Sequence, residues 1–138
     1  MADGFVIITQ YKMRNYKIFL WPLLVLILHI FATVTGLYDK FAWFDIPMHL
    51  LGGASVALSA FFILKRSDPL PLWVTMALMI GGASIMAIGW EWFEFILDHY
   101  AHTVTQLGLF DTLKDLYDGV SGATIVAIIM MVKTLRKK

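Results

Sequence analysis

The chain has 138 residues, a formal net charge of +1, 59% hydrophobic residues and only 15% charged ones. Soluble domains run nearer ~45–50% apolar and ~25% charged, so this is the composition of an integral membrane protein, and so small a net charge gives no electrostatic case for a nucleic-acid partner. With no cysteine in the chain, disulfides and thiolate metal sites are excluded.

A helix needs about 20 apolar residues to cross the hydrocarbon core. The first 17 residues are polar and basic, and an apolar run, Ile18–Gly36, follows, interrupted only by His29 and two threonines. No small-residue cleavage site closes that run, which predicts a retained first helix rather than a signal peptide. Ile46–Leu64 is a second run, with His49 near its start, and Leu72–Leu97 a third, with Glu91 and Glu94 near its end. Asp68-Pro69-Leu70-Pro71 reads as the short turn between them, because proline disfavours helix at the residue before it. Gly119–Val132 is too short to cross unless its helix begins upstream, near Phe110 or Asp115, which puts acids into its first turns. The expected fold is therefore all-α: one transmembrane domain over residues 1–138, a four-helix bundle with spans near 18–36, 46–64, 72–97 and 115–133.

The positive-inside rule orients these spans. Nine of the eleven lysines and arginines fall on one side (Lys12, Arg14, Lys17, Lys65, Arg66, Lys133, Arg136, Lys137 and Lys138), leaving Lys40 and Lys114 on the other. Both termini are expected in the cytoplasm, for a multi-pass protein of the cell inner (plasma) membrane. The same assignment gathers Asp39, Asp45, Glu91, Glu94, Asp98, Asp111, Asp115 and Asp118 at the outer side, with His49, His99 and His102. Loops poor in cations account for Asp39 and Asp98. They do not account for acids inside apolar runs, which are costly unless they pair, bind a cation or meet water.

Small residues suit close helix packing: Gly52-Gly53-Ala54-Ser55 recurs as Gly81-Gly82-Ala83-Ser84, and Gly119 and Gly122-Ala123 open the fourth span. Trp21, Trp43, Trp73, Trp90 and Trp92 stand near span ends, where interfacial anchoring explains them.

The candidate site follows from spacing. Asp45 and His49 are i, i+4 and share a helix face, with Pro47 in the first turn where its missing N–H costs nothing. Glu91 and Glu94 are i, i+3 and can face one interior. Asp111, Asp115 and Asp118 form one helical stripe. Asp111 suits an N-cap, and acids are favoured at a helix N-terminus, but Asp118 is followed by Gly119-Val120-Ser121-Gly122, already entering the membrane. Three like charges on a stripe repel unless a cation lies among them; a protonated or solvated cluster is the other reading. One histidine with several carboxylates suits a divalent ion: Zn, Mn, Fe, Mg or Ca. Neither Glu91 nor Glu94 has a histidine three residues later, so the diiron Glu-x-x-His repeat is absent. His99 and His102 are i, i+3 but fall in an expected exposed loop.

These residues resemble a pattern shared by the VanZ-like and, more closely, the YjdF-like families of small bacterial multi-span membrane proteins. It has an Asp four residues before a membrane His (Asp45, His49), a Glu near the end of a later span (Glu91 or Glu94), and an aromatic-Asp-x-x-x-Asp segment running into Gly-Ala (Phe110, Asp111, Asp115, Gly122, Ala123). The chain departs from the VanZ-like pattern at Ile46, where that pattern has Lys, and lacks its Gln near the Glu and its Asn before the final Gly. The resemblance implies a shared polar site and, through VanZ, cell-envelope or lipid-linked chemistry.

Together these readings lead to a metal-dependent, hydrolase-like membrane enzyme acting on a lipid or lipid-linked substrate at the outer leaflet. His49, Glu94, Asp111 and Asp115 are expected to hold the ion, Glu91 and Asp118 to serve as ligand or base, and Lys40 and Lys114 to steer a phosphate. The alternative is a small binding or transport protein with a carboxylate–histidine cation or proton site, and the third reading a structural protein whose polar residues lock its helices. Substrate, metal and oligomeric state, a homo-oligomer included, stay open.

Overall fold

The computed structural model describes residues 16–65 and 70–136; the basic residues Lys12, Arg14, Arg66, Lys137 and Lys138 and the Asp68-Pro69 turn lie outside the described residues. The described residues are mostly helical, with no strand among them. α1 is Tyr16–Val34, α2 the short Leu37–Lys40, and a 3₁₀ turn at Ala42–Phe44 leads into α3, Asp45–Leu64; α4 is Leu72–Ala101 and α5 is Leu109–Leu135. Three helices are long and apolar enough to cross a membrane: Ala42–Leu64 (the 3₁₀ turn with α3), Leu72–Ala101 and Leu109–Leu135. The apolar part of α1, Ile18–Val34, is shorter. α5 begins at Leu109, six residues before the expected span, so Asp111, Asp115 and Asp118 all lie within a helix.

Where the helices stop is legible in local chemistry. Gly36 takes a left-handed conformation (φ 66°) just after α1, and His102 does the same (φ 53°) after α4, as C-terminal residues often do. Pro22 lies inside α1 and has no N–H for the carbonyl of Ile18. Ser59 of α3 supplies the missing donor: its hydroxyl lies 2.6 Å from that carbonyl and 2.8 Å from its own Ser55 carbonyl. One hydroxyl proton serves both acceptors, so α3 repairs the break in α1 and the two helices are tied.

α3 packs most extensively on α5, and both pack on α4; α1 packs on α3. The core is made of small side chains, Ala57, Ala83, Ala123 and Ala127, with Met79 as the one large residue fully buried among the described residues. Contact is closest between α3 and α5. A Cβ at Gly53 would overlap the Gly119 carbonyl, and one at Gly122 would overlap the Leu50 carbonyl. A Cβ at Gly119 would meet Ala87 of α4 at 3.4 Å and the His49 carbonyl at 3.8 Å. These contacts set the register. α3 and α5 run parallel and α4 antiparallel to both, so the start of α3, the end of α4 and the start of α5 meet at one end of the molecule. The other half of the small-residue repeat behaves differently: Gly81 and Gly82 have no neighbour within 4 Å of an added Cβ.

Candidate functional site

The polar residues gather at that shared end. Asp45 is the first residue of α3 and His49 lies one turn further in. Helical spacing brings His49 Nε2 to 3.2 Å from Asp45 Oδ1. Asp115 reaches in from α5, and its Oδ1 is 3.8 Å from the same nitrogen. A ring nitrogen of His49 and one oxygen each from Asp45 and Asp115 all lie within 4.8 Å of one another. Ligand atoms bound to an ion at roughly 2.0–2.4 Å lie at most about 4–5 Å apart, so modest side-chain contraction is enough for three-point coordination.

Lys114 completes the cluster. Its Nζ lies 2.7 Å from Asp45 Oδ2, 2.8 Å from Asp115 Oδ1 and 3.1 Å from Asp111 Oδ1. It hydrogen-bonds Asp45 and Asp111. Its approach to Asp115 Oδ1 is an ion contact without hydrogen-bond alignment, since that buried oxygen has no hydrogen-bond partner among the described residues. Asp111 is the third residue of α5 rather than its cap; Gly108 (φ 109°) takes the cap position. Asp111 instead accepts the Leu107 N–H through Oδ2 at 3.2 Å, closing the loop onto the helix start.

Of the residues singled out by sequence, His49, Asp111, Lys114 and Asp115 therefore come together, and Asp45 joins them. Glu94 does not belong to the three-residue group: its Oε1 accepts the Trp90 indole N–H at 2.9 Å. Trp90 in turn stands edge-on to His29, with ring centroids 4.9 Å apart, and His29 Nδ1 is 2.8 Å from the Tyr38 hydroxyl. Trp90 thus turns inward, whereas Trp21, Trp43, Trp73 and Trp92 expose their rings as membrane anchors do. Glu91 is 5% exposed; its Oε2 accepts from Gln106 Nε2 at 3.4 Å and its Oε1 has no partner among the described residues. Asp118 is 9% exposed with Oδ2 likewise unpartnered. Lys40 lies apart, donating to the Thr35 carbonyl at 3.2 Å. His99 and His102 are exposed.

Two roles are clearer in the structure than in the sequence. In sequence Asp45 stands out as the i, i+4 neighbour of His49 and as the Asp of the resembled pattern, and that spacing is the signal that it shares the group. Asp98 reads in sequence only as an acid of a cation-poor loop. Its carboxylate accepts from the Thr103 hydroxyl (2.7 Å), the Thr105 amide (2.9 Å) and hydroxyl (2.8 Å), and the Gln106 amide (2.9 Å). It folds the α4–α5 loop back onto α4 and brings Gln106 to Glu91.

A family model described as "Predicted membrane protein (DUF2238)" matches residues 5–136. No curated protein and no solved structure matches the chain.

Proposed function

The chain belongs to the DUF2238 family of predicted membrane proteins, and we propose that within it Asp45, His49 and Asp115 form a divalent-cation site serving hydrolase-like chemistry on a lipid or lipid-linked substrate. The observation that carries this reading is the convergence of three ligand atoms from two separate helices on one point, within 4.8 Å of one another. Asp115 supports it further: it is 2% exposed and one of its oxygens lacks an aligned donor. Buried carboxylates without full pairing are costly in a membrane, and a cation relieves that cost.

When bound, a divalent ion there polarises a phosphoryl or acyl oxygen and activates water. The chain's own residues supply the rest. Asp45 and Asp115 hold charge opposite the ion, His49 contributes a neutral nitrogen, and Lys114 attracts a phosphate oxygen. Glu91 and Asp118, buried carboxylates each with one unpartnered oxygen, would serve as further ligand or base. Asp111 orients Lys114, and Glu94 acts from the Trp90 side rather than as a ligand. In this reading α1 is a fourth span, the termini lie in the cytoplasm, and the site opens at the outer leaflet of the inner membrane. The Asp–His–Glu–Asp pattern shared with VanZ-like and YjdF-like proteins supports an envelope lipid as the substrate class.

The test is metal content. Protein purified in detergent and exposed to Mn²⁺ or Zn²⁺ is expected to retain about one ion per chain, and His49→Ala and Asp115→Asn to lose it. Wild-type protein that takes up no ion, and whose stability a chelator leaves unchanged, would remove the proposal.

A second reading is favoured by one observation. Lys114 already contacts three carboxylates, as a purely structural lock between α3 and α5 requires. That reading expects Lys114→Met to destabilise the fold and no variant to change ion uptake.

A further inference from the structure

We propose that Lys114 and a divalent ion compete for the same two carboxylates, Asp45 and Asp115, so that ion entry expels the lysine and frees it for an anionic headgroup. This rests on the cation-site reading above and adds its regulation. One oxygen, Asp115 Oδ1, is shared outright. Asp115 Oδ1 faces His49 Nε2 at 3.8 Å and Lys114 Nζ at 2.8 Å. Asp45 divides its two oxygens, Oδ1 toward His49 and Oδ2 toward Lys114 at 2.7 Å. Any ion coordinated by Asp115 Oδ1 at roughly 2.0–2.4 Å comes within about 5 Å of an ammonium that touches the same oxygen. A dication and an ammonium at that separation, beside a side chain only 2% exposed, repel strongly because little water screens them.

One of the two has to move, and the structure says which. The ion's three ligands are anchored on short side chains of packed helices. Lys114 carries its charge on a flexible stem in the second turn of α5, at the end of the helix that meets the loop, with its side chain 29% exposed. Such a stem can lie along apolar surface while its head seeks the polar boundary. The ammonium is also an imperfect occupant: it neutralises Asp115 Oδ1 without giving it an aligned hydrogen bond. Direct coordination of that oxygen by an ion answers the acceptor that the lysine leaves open. Lys114 is thus a tethered counter-ion in one arrangement and a free cation at the membrane edge in the other. Because coupling of this kind is reciprocal, an anionic headgroup that draws Lys114 outward must strengthen ion binding by the same factor.

The experiment titrates purified protein, reconstituted in nanodiscs of zwitterionic lipid, with Mn²⁺ and with Zn²⁺. Lys114→Met is expected to bind at least tenfold more tightly than wild type, while Lys40→Met, which removes a cation that donates to the Thr35 carbonyl rather than to these carboxylates, binds as wild type does. In wild-type protein, acylation of Lys114 by an amine-reactive reagent, read by mass spectrometry, is expected to rise as the ion saturates, and to stay flat in Asp115→Asn. This second measurement stands even where Lys114→Met fails to fold. Equal or weaker ion binding by folded Lys114→Met, or unchanged acylation of Lys114 at saturating ion, overturns the competition and leaves the cation site standing. Absence of ion uptake by both folded wild type and Lys114→Met overturns the cation site itself, and the competition with it.

Discussion

Asp98 and Asp115 stand near the same end of the molecule and differ in how they are satisfied. Asp98 is solvated and accepts hydrogen bonds from Thr103, Thr105 and Gln106, so its charge is spent on folding a loop. Asp115 is buried, and its Oδ1 meets Lys114 without an aligned hydrogen bond. Replacing Asp98 with Ala is therefore expected to speed amide exchange at Thr105 and Gln106 by tenfold or more while ion uptake persists; unchanged exchange would show that the loop is held by other contacts. The same comparison explains what could be read from sequence. His49 and Asp115 stand out in sequence as candidates because a polar group in or at the start of an apolar run announces itself. Asp98 does not, because its partners are hydroxyls and backbone amides five to eight residues on, whose direction depends on how His102 and Gly108 turn the chain. Glu94 illustrates the opposite failure: its depth matches the candidate group, but its carboxylate accepts from Trp90 one turn earlier on the same helix, and depth alone does not say which way a side chain turns.

At the scale of elements, rotational phase again divides what the chain states openly from what it conceals. Run length is a one-dimensional property, so the helices α3, α4 and α5 fall where the apolar runs are. Which small residues meet a partner is set by phase, and the two Gly-Gly-Ala-Ser segments show it. Gly53 lies against the Gly119 backbone, whereas Gly81 and Gly82 face open space. Gly53→Ala and Gly122→Ala must therefore push α3 from α5, at a cost of about 1–3 kcal/mol or more, as over-packing does. Gly82→Ala is expected to be neutral or slightly stabilising, because alanine favours helix over glycine by about 0.5–1 kcal/mol. Unfolding of the three variants in mixed detergent micelles measures this; equal stabilities would mean that α3 and α5 are not in close contact. The Pro22–Ser59 relation belongs to the same scale. Proline inside an apolar run reads only as a weak point, and its repair by a hydroxyl more than thirty residues away appears only once α1 and α3 lie side by side. Ser59→Ala is expected to cost about 0.6–1.7 kcal/mol, the range found for hydrogen bonds between membrane helices, and to loosen α1 selectively.

For the whole molecule, the decisive question is whether α1 crosses the membrane beside the three longer helices. Its apolar part, Ile18–Val34, rises roughly 25 Å at ~1.5 Å per residue, a little short of the ~30 Å hydrocarbon core. The proposal that it crosses rests on packing. Ile18 meets Ser59 near the far end of α3, and His29 meets Trp90 and Tyr38 near the polar end, so α1 runs antiparallel along most of the depth of α3. Small mismatches of this size are absorbed by local thinning of the bilayer. Because the natural chain has no cysteine, single introduced cysteines report sidedness without background. Val104→Cys, in the exposed α4–α5 loop, is expected to react with an impermeant maleimide from outside intact cells. Arg136→Cys, just past α5, is expected to react only after the membrane is opened. Lys12→Cys decides α1: reaction alongside Arg136→Cys means that α1 crosses, and reaction alongside Val104→Cys means that it returns to the side it started from. The latter result would leave α3, α4 and α5 as the only crossings, put the two ends of the chain on opposite faces, and remove α1 as a membrane-crossing wall of the site.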